Sequence, residues 1–418
     1  MDYNKRLMGN IERIPLVASQ GNGALFSRED SGDDLLDFWG DEGVCSMGMN
    51  TPEFLGALKV FLATGAPHRL PDVYPHRIRW EAAEIICDRT NMDRIFFANS
   101  GTEANEAAIK IARKFWWDQE QSQIKNIPRE MITPQRHIIL TIAGNFHGRT
   151  GFALASSDYR VSPYHRHGFG PIPKGFGVLD DQFFKQVVTD GKEHEPIEPD
   201  WDKVAAIILA PVLGNNLVKT YSSEFWYGLD TIRRKHGVLL IFDDVQAGNG
   251  RAGHFATWQG VGVHPDIMTL SKGIAMGLPM SCMLSCEKIA KSFTPGVHFN
   301  TFGGTLLCCF LATKLYHWLD ENLSKVRDMG KHIRDTWNGM SWIKHFDGMG
   351  MLNAFTPDYE NGGYDGFAFT KEARNHGLSL VTHRQFGPIR FTPPLNTPID
   401  VVDRALDALE KTNKNLQN

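Results

Sequence analysis

The chain of 418 residues is 42% hydrophobic and 22% charged, enough apolar material for a large core divided among two or three structural units. Its 44 Lys and Arg against 48 Asp and Glu leave a formal charge of -4, so no overall field draws it onto a polyanion and nucleic acid is excluded as a partner on charge grounds. Cys45, Cys87, Cys282, Cys286, Cys308 and Cys309 have neither the framework of a small secreted domain nor zinc-knuckle spacing; with no signal peptide and no bilayer-length apolar run, a reduced, soluble, cytoplasmic protein without metal is expected.

Taken in chain order, "DLLDFWG" (34–40) reads as a short strand, "EAAEIICDRT" (81–90) as a helix, and "DRIFFANSG" (93–101) as a strand running into a turn. "TEANEAAIKIARKFWWD" (102–118) is a strongly amphipathic helix. "QEQSQIKNIPREMITPQ" (119–135), polar and broken by two prolines, predicts a surface connection before the strand "RHIILTIAG" (136–144). Residues 157–200, rich in Gly, Pro and His, predict loops over the surface. The strand "VAAIILAPV" (204–212), the helix "SEFWYGLDTIRRKHG" (223–237) and the strands "VLLIFDDV" (238–245) and "DIMTLSKG" (266–273) then follow, the rhythm of an α/β fold with a mostly parallel central sheet. From about 306 the pattern changes to a long helix, short strands and a final helix "DVVDRALDALEKTNKN", which predicts a smaller α+β unit. The expected division is residues 1–55 packing with the small domain, 56–305 as the large domain and 306–418 as the small one.

Four features carry chemistry. In "FFANSGTEAN", Ser100, Gly101 and Thr102 open a helix, where backbone N–H groups and the helix dipole suit a phosphate; an ordinary N-cap explains the same residues. In "VLLIFDDVQ", Asp243 and Asp244 stand at the carboxyl end of a central strand, where open α/β sheets bind ligands; one acid can hold a heterocyclic nitrogen protonated, or both can be solvated or capping. Lys272 in "TLSKGIAMGLP" lies between apolar residues and glycines, so desolvation can lower its pKa and make it a nucleophile towards a carbonyl, forming a Schiff base; a lysine snorkelling into water is the alternative. Arg390 in "GPIRFTPPL" offers a bidentate carboxylate anchor or a structural ion pair. Together these describe pyridoxal phosphate acting on an amino acid.

With these motifs, joined by "NFHGRT" and "TFGGT", the sequence resembles the class III, or subgroup II, aminotransferases of fold type I, which include ornithine, acetylornithine and 4-aminobutyrate enzymes. The resemblance implies pyridoxal 5'-phosphate as cofactor and ping-pong transfer of an amino group from an amino acid to a 2-oxo acid such as 2-oxoglutarate. It implies that Lys272 carries the cofactor and moves the proton, Asp243 pairs with the pyridinium nitrogen, and Gln246 approaches the ring hydroxyl. Ser100, Gly101 and Thr102 hold the phosphate, Phe146 stacks on the ring with His147 beside it, and Arg390 binds the substrate carboxylate. Thr301 reaches the phosphate of a neighbouring subunit, which implies a homodimer with active sites at the interface, or a tetramer built from it.

The sequence departs from the family pattern at "APVLGNN", where Ala210 and Asn215 replace acids. In many members the second of these acids pairs with the arginine matching Arg390. Asn215 has no charge to do so, and Arg390 is therefore expected to stay open to a carboxylate in both half-reactions. Three rivals stand beside this reading: an aminomutase of the glutamate-1-semialdehyde type, a non-catalytic protein on the same fold, and a dinucleotide enzyme. The last rests on "GNGRAG" (248–253), but no helix pattern follows that stretch.

Overall fold

The computed structural model describes residues 16–121, 135–161, 163–214, 218–359 and 365–417, together with Met8 and Ile14. Strands β1 (Ala18–Asn22), β2 (Leu25–Arg28) and β3 (Asp34–Asp37) pair antiparallel at the start of the chain. Helix Pro52–Ala63 opens on Thr51, whose hydroxyl accepts from the Phe54 N–H, with proline in the first turn where its missing donor costs nothing. Helix Arg77–Thr90 closes on Asn91 in the left-handed conformation. It leads into β4 (Arg94–Ala98) and helix Gly101–Gln121, whose Ala104, Ala107, Ala108 and Ala112 are buried.

The sheet that organises the site continues with β5 (Ile138–Ile142), β6 (Phe176–Leu179), β7 (Gln186–Thr189), β8 (Lys192–Ile197) and β9 (Val204–Leu209). After the short pair β10 (Val212–Leu213) and β11 (Lys219–Thr220) come β12 (Leu239–Asp243), β13 (Ile267–Leu270) and β14 (Ser281–Ser285). The nine-stranded order is β4-β14-β13-β12-β9-β5-β6-β7-β8. Its centre, from β13 through β12, β9 and β5 to β6, is parallel, and both ends are antiparallel. Strands β9, β12 and β13 are buried along their whole length, which is why they read as continuous apolar runs instead of alternating ones.

One expectation needs correction. Residues 157–200 are not all surface loop: β6 is fully buried beside β5, and β7 and β8 extend the sheet beyond it. Edge strand β8, "KEHEPI", is almost wholly exposed and charged, a composition that protects a sheet edge from further pairing and reads as loop in sequence. Of the predicted connection 119–135, residues 122–134 lie outside the described residues.

Helix Leu306–Asn338 is 33 residues long and spans two apolar clusters. Its first turns bury Leu306, Cys309 and Tyr316 against the large sheet, and its last ones bury Ile333 and Trp337 in a second core with Phe355, Phe369, Phe391 and Leu409. That core is bounded by β15 (Ile343–Met349), β16 (Leu352–Pro357), β17 (Leu378–Ser379) and β18 (Ile389–Phe391), with helices Gly366–Asn375 and Ile399–Gln417. Strand β17 pairs parallel with β3, joining the start of the chain to this second core. Among the described residues no helix is long and apolar enough to cross a membrane.

Candidate active site

Asp243 ends β12, and the parallel register sets it opposite Thr269 of β13. Its Oδ2 accepts from Asn105 Nδ2 at 2.9 Å and lies 2.7 Å from His147 Nδ1. His147 Nε2 is 2.8 Å from the Thr141 hydroxyl, so the ring is held from both sides; with Thr141 donating to Nε2, Nδ1–H donates to the carboxylate. Asn105 is fixed in turn, donating to the His147 carbonyl at 2.8 Å and accepting from Thr269 Oγ1 at 2.8 Å. Oδ2 is therefore committed, whereas Oδ1 receives only a 3.3 Å contact from the Val245 N–H. Asp244 serves a different purpose. It is fully buried, accepts from the Thr257 N–H at 2.7 Å and from the Thr257 hydroxyl, and burial pushes its carboxyl up to about 7.

Lys272 follows β13 at φ 48°, a left-handed conformation that a non-glycine residue adopts only when its surroundings impose it. The imposing groups are visible: Asn249 Nδ2 donates to the Ser271 carbonyl at 3.0 Å, and Ser46 Oγ donates to the Gly273 carbonyl at 2.7 Å. A Cβ on Gly273 would stand 2.6 Å from Ser46 Cβ, so only glycine allows that approach. Burial lowers the Lys272 amine to about 8; Asp243 and Asp41 oppose this and Arg251 adds to it.

Helix Gly101–Gln121 begins at the Ser100–Thr102 turn, and its first N–H groups have no carbonyl partner within the helix, the arrangement that suits an anion. Glycines allow close packing around this turn: a Cβ on Gly101 would meet Val245 Cγ1 at 2.6 Å, and one on Gly148 would meet Thr102 Oγ1 at 2.3 Å. Thr102 Oγ1 and Thr150 Oγ1 are 2.9 Å apart. Glu103 accepts from the Asn99 N–H at 2.8 Å and so caps the chain entering the helix.

The opposite corner is built by residues remote in sequence. Arg390, in β18 and 3% exposed, donates through Nη1 to Glu42 Oε2 and through Nη2 to the Gly214 carbonyl. Burial lowers its guanidinium to about 10, still charged at neutral pH. Glu42 Oε2 also lies 3.4 Å from Gln246 Nε2 and 3.9 Å from Lys272 Nζ, and its Oε1 is 3.0 Å from His383 Nε2 and 3.3 Å from Trp39 Nε1. Glu42 belongs to a turn in which Gly40, Asp41, Glu42 and Gly43 all have positive φ, at a cost of about 1–2 kcal/mol for each non-glycine residue.

The aminotransferase class-III family model matches residues 8–412. The chain is 31% identical over 408 residues to an acetylornithine aminotransferase of Aquifex aeolicus, covering 97% of this chain and 99% of that protein. It is 32% identical over 420 residues to the Nostoc acetylornithine aminotransferase, covering 98% and 92%. The chain belongs to the class-III aminotransferases. Its fold matches the crystal structure of the ornithine aminotransferase from Toxoplasma gondii with a TM-score of 0.84 at 25% identity, over 99% of this chain and 94% of that one. It also matches a pyridoxal phosphate-bound amine transaminase from a Pseudomonas species, with a TM-score of 0.81 at 21% identity over 99% of both chains.

This aminotransferase is therefore a pyridoxal phosphate-dependent enzyme of fold type I, acting on amino and oxo acids. Its residues fit that cofactor: Asp243 leaves Oδ1 for a cationic ring N–H, Lys272 supplies a readily neutralised amine, and the helix start takes an anion. Phe146 has its ring 5.5 Å from that of His165 and under the Arg149 guanidinium at 5.6 Å.

The remaining site candidates have these surroundings. His147 is buried against Asp243, with Nδ1 2.7 Å from that carboxylate. Gln246 donates to the Glu42 carbonyl at 3.1 Å. Thr301 is exposed, with its carbonyl accepting from Arg69, and among the described residues it shares no hydrogen bond with the Asp243 cluster. Asn215 lies outside the described residues. The expectation that Arg390 stays uncovered is overturned: Glu42, 348 positions away in sequence, supplies the carboxylate that position 215 lacks. Glu42, Asn105, Thr141 and His383 escaped the sequence reading. Asn105 alone left a signal, one helical turn after Gly101 in "SGTEAN".

Proposed function

We propose that this aminotransferase takes the amino group of an ornithine-type donor, such as ornithine or its N-acetyl derivative, and delivers it to a 2-oxo acid such as 2-oxoglutarate. The observation that carries the reading is the half-buried Lys272 amine, lowered to about 8 beside Asp243 and within one carboxylate of Arg390. The acetylornithine aminotransferases among its relatives support the donor class.

The bound cofactor supplies an electron-withdrawing pyridinium ring that stabilises charge at the substrate carbon. The chain does the rest. Asp243 Oδ1 would hold the ring nitrogen's proton, with Asn105 and His147 fixing the orientation of the carboxylate through Oδ2. Ser100, Gly101 and Thr102 would anchor the phosphate, Phe146 would bound one ring face, and Gln246, which rests on the Glu42 carbonyl, would turn to the ring hydroxyl. Lys272, neutral in a substantial fraction near pH 8, takes the proton from the substrate carbon and returns it on the other side of the transfer. Arg390 binds a substrate carboxylate.

The proposed assembly is a homodimer in which Thr301 reaches the partner subunit's phosphate site. Val73, Tyr74, Trp80, Phe299 and Phe302 are large, apolar and exposed. Arg79 donates to both the Gly304 and Leu70 carbonyls, which ties the two segments bearing these side chains together. Residues 56–305 form the large domain of this reading and 306–418 the small one, with 1–55 packed on it. Six free cysteines suit a cytoplasmic setting.

The test is the visible spectrum of the holoenzyme before and after glutamate, ornithine, N-acetylornithine, 4-aminobutyrate and alanine. Loss of the yellow band with an ornithine-type donor supports the proposal. A band unchanged by every donor sinks it in favour of a mutase or a non-catalytic protein.

A further inference from the structure

We infer that Glu42 is a displaceable cover on Arg390, and that it sets how strongly the enzyme favours donors and acceptors with a carboxylate over those without one. The inference rests on the transamination proposed above and names a specificity determinant within it. Both terminal nitrogens of Arg390 are already engaged, one by Glu42 Oε2 and the other by the Gly214 carbonyl. A substrate carboxylate therefore cannot take the guanidinium fork unless Glu42 gives up its oxygen, because two carboxylates on one buried cation would repel each other.

The surroundings of Glu42 suit such an exchange. Oε1 rests on Trp39 Nε1 and His383 Nε2, neither of which involves Arg390, so rotation of the carboxylate away from the arginine keeps both contacts. Burial, then the charges of Lys272 and Arg149, lower the His383 imidazole, favouring its neutral form, whose one ring N–H is enough to hold Oε1. The Glu42 backbone does not need to move. It is locked by Asp37 Oδ1 accepting from the Gly40 N–H at 2.9 Å and by the Thr392 hydroxyl donating to the Trp39 carbonyl at 2.7 Å. The cover is thus a side chain on a left-handed turn near the start of the chain, far in sequence from Gly214.

With Glu42 over Arg390 the corner is neutral and accepts an amine end without a carboxylate. With Glu42 displaced, it presents a cation to an amino or oxo acid. If the covered form makes up about nine-tenths of the enzyme, removing the cover tightens a carboxylate ligand about tenfold.

The experiment uses holoenzyme and glutarate, a dicarboxylate with no amino or oxo group to react, with affinity read by calorimetry. Glu42→Gln is expected to tighten glutarate about tenfold and to lower KM for 2-oxoglutarate, while KM for butylamine stays level or rises. Glu42→Asp, which keeps the charge but falls a methylene short of Arg390, is expected to act in the same direction and serves if Glu42→Gln fails to fold by circular dichroism. Arg390→Met is the control that abolishes glutarate binding. Unchanged or weaker glutarate binding in the folded Glu42 variants, with wild-type turnover intact, overturns the cover. Wild-type holoenzyme that transaminates no donor, alongside tighter glutarate binding in Glu42→Gln, overturns the proposed activity and leaves the cover standing.

Discussion

The two ends of the site are built differently. At one end, Asp243, Asn105, His147, Thr141 and Thr269 form a closed hydrogen-bonded set on neighbouring elements of one sheet and the helix packed on it, with Asp243 6% exposed and His147 2%. At the other, Arg390 meets Glu42 and the Gly214 carbonyl, and Glu42 in turn meets Gln246 and His383, residues drawn from the turn after β3, a strand end and the segments around the second core. The first end fixes its carboxylate through Oδ2, which Asn105 and His147 hold in one arrangement, and leaves Oδ1 only a 3.3 Å contact. In the second, a single carboxylate is shared by five groups, an arrangement that can trade one contact for another without leaving a buried charge unpaired. In the proposed function, the rigid end meets the cofactor ring and the exchanging end meets the substrates.

Mutations that separate the two ends rank by expected effect. Lys272→Ala, which removes the proposed proton carrier between them, is expected to lower turnover on the order of 10⁴-fold; residual turnover near wild type breaks the assignment. Asp243→Asn at the rigid end leaves Asn105 and His147 in place but removes the charge, and kcat is expected to fall on the order of 10²-fold with little change in KM. His147→Phe keeps the volume and deletes one charge-assisted hydrogen bond; about a tenfold loss in kcat, with a shifted pH profile, distinguishes positioning of Asp243 from mere packing.

A stability measurement reports on Lys272 alone. Its amine is lowered from 10.5 to about 8 by burial, so between those values the unfolded chain binds more protons than the folded one and stability rises with pH. In the cofactor-free protein Lys272→Met is therefore expected to raise stability below pH 8, on the order of 3 kcal/mol, with the gain vanishing as pH approaches 10.5. A gain independent of pH in urea titrations would show that packing, not charge, is the cause. The smallest effect is expected at the exchanging end: a Cβ on Gly214 would stand 1.6 Å from Gln246 Oε1, so Gly214→Ala displaces a flexible amide and should alter KM for a 2-oxo acid more than kcat. The opposite pattern in steady-state kinetics would join this corner to the rigid end.

The rigid end was largely legible in the sequence because its chemistry is local. Asp243 closes an apolar strand, Lys272 follows another, and Ser100 to Thr102 open a helix, each marked by the residues beside it. What local pattern does not carry is which of two adjacent acids faces the site: Asp244 is spent on Thr257, a contact 13 residues away. His147 likewise follows the expected stacking residue yet turns inward to Asp243, because Thr141 on β5 waits for its other nitrogen.

By itself the sequence determined the parallel centre of the sheet and the positions of Asp243 and Lys272 at strand ends and of Ser100 to Thr102 at a helix start, since apolar runs, caps and glycines act over a few residues. The tertiary structure alone decided what covers Arg390. Glu42 sits in a stretch with no periodicity and no motif, and only the pairing of β3 with β17, next to β18, brings that turn to the arginine. Charge compensation depends on distance in space, and 348 residues of chain separate the partners.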